Sequence, residues 1–227
     1  MPLRQRSLKP TREHRTPIGM NTKVATPGQS LDPESSRVDQ LAREILHENY
    51  RFFDVEKLEL EEDPTHVSVK VRLRRHPEND VIDVEGQGVG LVDAFFNGVL
   101  KAWADEFQSL KTISLTDFSI GSGFDGAKGR RFDALAVATL RVRNAHGVEC
   151  AFERKTTSVT RSCLLVALDA LTFFINAERA YVQLQLAMKD ATERRRSDLV
   201  DRYRQQMSTV VLATSYASLS GKPRDSE

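Results

Sequence analysis

The sequence predicts an α+β protein with an internally duplicated βββα–βββα core, in which antiparallel sheets pack on two long helices. Alternating apolar and polar residues predict several strands with one buried face. Two strongly apolar segments have the spacing of buried helices. A strand passes directly into a helix near residue 90 and again near residue 158, and this recurrence indicates an internal repeat.

Residues 1–36 are predicted to form a disordered basic arm. They contain five prolines and few large apolar residues, and residues 1–24 carry six basic side chains against one acid, Glu13. Such a segment cannot bury enough apolar surface to offset the entropy lost on ordering. A solvated tail is the simplest interpretation, and contact with nucleic acid or a membrane surface is the alternative.

A short helix is predicted over residues 37–50. Ser36 is a suitable N-cap, and apolar residues follow it at helical spacing. Three strands come next, over residues 53–60, 67–73 and 81–84. The first two alternate apolar and polar residues, which predicts a meander with one solvated face and one buried face.

Three alternate glycines, Gly86, Gly88 and Gly90, end the third strand and open an apolar helix that is predicted to end near Phe107. Glycine lets the backbone amides at a helix start approach a carboxylate or a phosphate. The alternative is that the glycines only permit a tight turn. Nucleotide binding is not expected, because no βαβ unit surrounds the glycines and no Walker lysine follows them.

The second cycle repeats this order. Strands are predicted over residues 112–120, 132–142 and 148–158, followed by a strongly apolar helix over residues 159–186. A helix this apolar is buried on more than one side, so we expect it to contact both the sheet and another chain. Residues 51–187 would then form the duplicated domain.

The chain after this domain is predicted to form a charged helix over residues 188–219 and a disordered tail over residues 220–227. The basic run of residues 194–204 could contact phosphates. Its interspersed acids favour a solvated helix face instead.

The composition restricts the function. Lysine and arginine number 33 against 32 aspartates and glutamates, so no global charge directs the chain to nucleic acid or to a membrane. Cys150 and Cys163 lack the spacing of a disulfide framework, which indicates a reducing compartment. No apolar run approaches the ~20 residues of a membrane span, and the N-terminus lacks an apolar signal segment. We therefore expect a soluble cytoplasmic protein.

The junctions also carry a family resemblance. Residues 88–94 read Gly-x-Gly-x-x-Asp-Ala at the start of the first long helix, Asp133 and Ala134 open a strand of the second cycle, and Asn176 lies in the second long helix. Over residues 52–185 the chain resembles the C-terminal allosteric, or dimerisation, domain of 2-isopropylmalate synthase and of the related citramalate and homocitrate synthases.

This resemblance implies an internally pseudo-symmetric βββα pair that forms a homodimer and binds a feedback amino acid near the helix N-termini. The catalytic barrel of that family is not expected here, because only about 50 residues precede the domain. The five histidines are isolated in sequence, so no catalytic residue, metal or cofactor is predicted. The residues predicted to bind the ligand are Gly86, Gly88, Val89, Gly90, Asp93, Ala94, Thr156, Ser158 and Thr160.

Several of these residues have a structural alternative. The Asp93 carboxylate would interact favourably with the positive end of its helix dipole, and Ser158 would cap the second long helix. The second junction carries hydroxyls where the family has glycine. Cys163 precedes core leucines, which predicts a buried, inert thiol.

The sequence thus predicts a stand-alone homodimeric regulatory or small-molecule-sensing module, non-catalytic by itself and similar to the leucine-feedback domain. A branched-chain amino acid or a similar small carboxylate is the expected ligand, and a separate protein is a further candidate partner. The alternative is a nucleic-acid-associated protein that uses residues 4–23 and 194–204 as basic contacts, and it is the less favoured of the two.

Overall fold

The computed structural model describes residues 29–123 and 135–213 and confirms the α+β class. The strands along these residues are β1 (Gln29–Leu31), β2 (Phe52–Glu62), β3 (Val67–His76), β4 (Asp80–Gly88), β5 (Ser114–Gly123), β6 (Leu135–Arg143) and β7 (Glu149–Thr156). The helices are α1 (Pro33–Leu46), α2 (Leu91–Trp103), α3 (Val159–Glu193) and α4 (Ser197–Ala213), with short 3-10 helices at His47–Asn49 and Gln108–Thr112.

The strands form two antiparallel sheets. One has the order β2-β3-β4 and the other has the order β1-β7-β6-β5. Three consecutive strands and a helix follow each other twice, as β2–β4 with α2 and as β5–β7 with α3. In both cycles a bulge shifts the register of the first strand, between Val55 and Lys57 in β2 and between Leu115 and Asp117 in β5. The internal duplication of the domain stays a prediction.

Each long helix covers part of one sheet. α2 packs on β3 and β4, whereas α3 packs on β6 and β7. Alternation in β3 places Val67, Val69, Val71 and Leu73 in the core, while the residues between them face outward. The first strand of each cycle lies at a sheet edge and makes few contacts with the helix of its own cycle.

α3 is the central helix of the chain. It packs on the four-stranded sheet and also contacts α1, α2 and α4. The sequence predicts that another chain covers the side of α3 that faces away from the sheet. In the structure, α1 and α4 of the same chain lie against α3. By length and composition alone α3 could cross a membrane, contrary to the expectation from the sequence. Most of its apolar stretch is buried inside the chain, as in the core helix of a soluble protein.

Residues 29–36 are ordered, which corrects the predicted disordered arm in this part. β1 pairs with β7, and α1 begins before the predicted N-cap, Ser36. Asp32 is the N-cap, since its carboxylate accepts a hydrogen bond from the Ser35 amide at 2.9 Å. Local composition could not show this, because the strand partner of β1 lies far away in sequence. Residues 1–28 of the predicted arm lie outside the described residues.

The first two predicted helices end earlier than expected. α1 ends at Leu46, because His47 takes a positive φ of 48° that closes the helix, and a 3-10 helix follows. α2 ends at Trp103 rather than near Phe107, and a turn connects the two residues. β4 is longer than predicted and contains Gly86 and Gly88.

The predicted charged helix of residues 188–219 is in fact the end of α3 followed by α4. α3 runs to Glu193, and α4 begins at Ser197. Arg195 lies between them with a φ of 56°, a left-handed conformation that interrupts the helix. The part of the prediction beyond residue 213 lies outside the described residues.

Candidate functional site

The glycines of the first junction allow β4 and α2 to touch. A Cβ atom at Gly86 would overlap the carbonyl oxygen of Ala94 and approach the amide nitrogen of Gly98 to 2.7 Å. A Cβ atom at Gly88 would overlap the Asp93 carboxylate and approach the amide nitrogen of Ala94 to 2.5 Å. Both positions are therefore filled by the helix itself, which favours a packing role for these glycines.

Two hydrogen bonds form at the start of α2, whose N-cap Gly90 has no side chain to cap it. The Asp93 carboxylate accepts a hydrogen bond from the Val89 amide at 3.0 Å, and the Ala94 amide donates to the Gly90 carbonyl at 2.8 Å. Val89 is 86% exposed, and nothing lies within 4 Å of a Cβ atom built at Gly90. Asp93 lies in the first turn of α2, which is the position that its structural alternative requires.

The second junction is a closed network of hydroxyls. The Thr156 hydroxyl accepts from the Ser158 amide at 3.1 Å, donates to the Ser158 carbonyl at 2.8 Å and lies 2.9 Å from the Ser162 hydroxyl. Ser158 accepts from the Arg161 amide at 3.3 Å, which confirms it as the N-cap of α3. Thr160 is half-buried. Most of these polar groups serve the fold.

The two junctions remain separate. Among the described residues, no hydrogen bond or ion pair joins Gly86, Gly88, Val89, Gly90, Asp93 or Ala94 to Thr156, Ser158 or Thr160. Within residues 29–123 and 135–213, no group of three His, Cys, Asp or Glu side chains could hold a metal ion. Both cysteines are buried, as the sequence predicts for Cys163, and burial raises the pKa of both thiols.

A buried ion pair joins β7 to α3. The Arg154 guanidinium donates two hydrogen bonds to Asp169, one of them at 2.7 Å, and Arg154 is only 4% exposed. Burial raises the pKa of Asp169 to about 6, against the effect of the neighbouring Arg154. The sequence carried a signal for this pair, because Arg154 follows Cys150 and Phe152 at every second position of β7 and therefore lies on the same buried face of the strand.

Polar side chains of α3 also bind the segment that enters β2. The side-chain oxygen of Asn176 accepts a hydrogen bond from the backbone N–H of Arg51 at 2.9 Å, and its side-chain nitrogen donates one to the backbone carbonyl of Arg51 at 2.7 Å. Glu178 accepts hydrogen bonds from the amides of Gln108 and Ser109 at 3.1 and 2.7 Å. Burial raises the pKa of Glu178. The C-terminal half of α3 is thereby fixed to both sides of the first cycle.

A groove of about 970 Å³ lies beside this part of α3. Its lining combines Leu46 and Phe107 with Val182 and with the charged side chains Glu106 and Arg179. No local sequence pattern indicates this groove, since its walls come from segments far apart in sequence. A second groove of about 720 Å³ includes the predicted residue Gly86 and is lined by β2, β3, β4 and α2.

Three of the five arginines in residues 194–204 have acidic partners. Arg194 pairs with Asp190 at 2.9 Å, and Arg196 pairs with Asp198 at 2.9 Å. Arg204 pairs with its neighbour Asp201 in the same way, at 2.8 Å. This arrangement favours a solvated helix face over a phosphate-binding surface. The other basic segment of the nucleic-acid alternative, residues 4–23, lies outside the described residues.

The fold and these sites define an α+β protein whose predicted ligand residues mainly cap and pack its helices. In comparisons with known proteins, no protein-family model and no curated protein matches the chain. The resemblance to the 2-isopropylmalate synthase domain therefore stays a prediction.

Proposed function

We propose that this protein is a homodimeric, non-catalytic regulatory module of the cytoplasm that binds a small carboxylate-bearing metabolite. The repeated βββα order supports the proposed similarity to the leucine-feedback domain. Buried thiols with raised pKa values and the hydroxyls engaged at the second junction support a non-catalytic role.

The observation that carries the dimer is an apolar strip on the inner face of β5. Phe118 and Ile120 are 38% and 49% exposed, although their strand partners Leu140 and Ala138 are fully buried. The helix α3 covers β6 and β7 but leaves this edge strand open. An exposed apolar face next to a strand edge that has no partner among residues 29–123 and 135–213 favours association with a second copy of the chain.

The first cycle has one exposed apolar residue in a corresponding place. Leu60 of β2 is 44% exposed, while its strand partner Val69 is 3% exposed. β2 is also an edge strand. Two open first strands would give each protomer two apolar surfaces, which fits an assembly in which the second copy covers the corresponding strands.

The dimer is tested by changing this strip. We expect light scattering to give a dimer for the wild-type chain, and Ile120→Lys to raise the dimer dissociation constant at least about tenfold, because a charge would be buried at the interface. Val81→Lys is the matched control, since Val81 is 47% exposed on the outer face of the edge strand β4. A wild-type monomer, or equal effects of the two substitutions, would contradict the dimer.

The ligand is tested separately by titration calorimetry with branched-chain amino acids. Heat of binding from at least one of them is expected. A stable dimer that gives no heat with any member of the panel would leave a purely structural dimerisation module.

A further inference from the structure

We propose that the groove between α3, the end of α1 and Phe107 binds an α-amino acid with an apolar side chain, and that Arg179 holds the carboxylate of this ligand. The inference rests on the proposed function, for which it names the site and the ligand class. The groove is separate from the two junctions that the sequence indicated. Three features of its lining lead to this ligand.

The first feature is a cation without an anionic partner. Arg179 is half-buried on α3 and donates one hydrogen bond, from Nη1 to the Asn49 carbonyl at 2.6 Å. Among the described residues it forms no salt bridge, because the nearby carboxylates of Glu78 and Glu106 pair with Arg51 at 3.1 and 2.8 Å. A guanidinium has five N–H donors in a planar fork, so Arg179 retains donors that match a carboxylate.

The electrostatic surroundings of Arg179 favour an added negative charge. Burial, and after it the neighbouring Arg51, hold the pKa of the Arg179 guanidinium below its usual value. A bound carboxylate would relieve both effects, because it would neutralise the desolvated charge and offset the repulsion from Arg51.

The second feature is the acidic rim. Glu48 and Glu106 line the same groove as Arg179, and Glu106, although it pairs with Arg51 at 2.8 Å, is half-exposed and keeps a second carboxylate oxygen. A ligand that carried only a carboxylate would be repelled by them, whereas an ammonium group next to the carboxylate would be attracted. Glu178 also lines the groove, but the Gln108 and Ser109 amides already hold it. One cation flanked by carboxylates is therefore the pattern that fits a zwitterion.

The third feature is the apolar wall. Leu46, Phe107 and Val182 lie along the groove, and Ile45 joins them from α1. Small-molecule sites combine such walls with a few polar groups that fix the orientation of the ligand. The wall would take the apolar side chain while Arg179 and the acidic rim take the two charged groups.

The groove beside Gly86 fits such a ligand less well. Of its two lysines, Lys70 is paired with Glu85 at 2.5 Å and Lys101 is exposed, and Glu59 and Glu61 add further negative charge to the lining. No half-buried unpaired cation faces this second groove among the residues that the structure describes.

Calorimetry with L-leucine, 4-methylpentanoate and 3-methylbutylamine tests the site on the full chain. The acid lacks the ammonium group of leucine and the amine lacks its carboxylate, and we expect both to bind at least about tenfold more weakly than leucine. Arg179→Gln should weaken leucine binding by about tenfold to a hundredfold, because charge-assisted hydrogen bonds to the carboxylate are lost.

Arg161→Gln is the matched control. Arg161 is exposed in the first turn of the same helix, 18 positions before Arg179, and its substitution should leave leucine binding unchanged. Val182→Trp is a second variant that fills the apolar wall and keeps Arg179, and we expect it to abolish leucine binding. Thermal unfolding of each variant verifies the fold, and Val182→Trp decides the test if Arg179→Gln does not fold.

The outcomes separate the site from the function. Wild-type affinity for leucine in both Arg179→Gln and Val182→Trp would overturn the groove and leave the proposed sensing function intact. Failure of leucine, isoleucine, valine and phenylalanine to bind the wild-type chain would overturn the groove and the sensing function together, while the dimer is still decided by light scattering.

Discussion

The Asp32 side chain joins the N-terminal strand, the first helix and the four-stranded sheet. Its carboxylate accepts hydrogen bonds from the Glu34 and Ser35 amides at 3.0 and 2.9 Å, and from the Ser35 hydroxyl at 2.7 Å. It also accepts from the Ala151 amide of β7 at 2.9 Å. One residue thus caps α1 and fixes it to a sheet whose sequence lies far downstream.

Asp32→Ala should lower the free energy of unfolding by about 2 kcal/mol, because the helix cap and the bond to β7 are lost together. Ser36→Ala is the control. Ser36 resembles an N-cap in the sequence but lies exposed inside α1, so its loss should have little effect. Urea denaturation of both variants measures the difference, and equal effects would contradict the role of Asp32.

The contribution of Asp32 should also depend on pH. Burial raises the pKa of its carboxyl, but hydrogen bonds from Ser35, Ala151 and Glu34 outweigh burial and lower the pKa below 3.8. A carboxyl whose pKa is lower in the folded state stabilises it above the unfolded value, and this stability is lost as the pH falls through the folded pKa. The difference between wild type and Asp32→Ala should therefore be full near neutral pH and shrink below pH 3.8.

At the scale of elements, the contact between β4 and α2 depends on two glycines. Gly86→Ala should lower the free energy of unfolding by about 3 kcal/mol, since its Cβ atom would overlap the Ala94 carbonyl. Gly90→Ala should cost under about 1 kcal/mol, because Gly90 has extended backbone and open space around it. Thermal unfolding measures both. If Gly86→Ala kept its stability and lost leucine binding, Gly86 would serve a ligand rather than packing.

At the scale of the whole molecule, α3 connects the two cycles into one core. A single apolar cluster runs from Val38 in α1 to Val210 in α4 and includes residues of both sheets. Asn176 and Glu178 add hydrogen bonds from α3 to segments of the first cycle. A continuous core of this kind unfolds cooperatively, because neither cycle keeps its buried face when the other opens.

Two probes should therefore report one transition. Trp103 is the single tryptophan of the chain and stacks on Phe53 in the first cycle, with 4.8 Å between the ring centroids. Its fluorescence reports the first cycle, whereas far-UV circular dichroism reports all helices and strands. We expect the two urea curves to coincide, and an earlier fluorescence transition would show that the first cycle unfolds alone.

Local sequence patterns specify the type and the order of most elements. Period-two alternation identified the strands, apolar spacing identified the long helices, and Ser158 was recognised as a cap from its place before α3. These signals are local, because a few neighbouring residues set the periodicity of an element and the chemistry of its cap.

The surfaces that pack against each other are apparent from the folded chain and not from local patterns. The tertiary structure placed β1 beside β7, covered α3 with α1 and α4 of the same chain, and showed that Gly86 and Gly88 are filled by α2. It also brought Arg179 and Phe107 together in one groove. These contacts join residues far apart in sequence. The local pattern around an apolar or charged residue shows that the residue needs a partner, but it does not show which distant surface provides one.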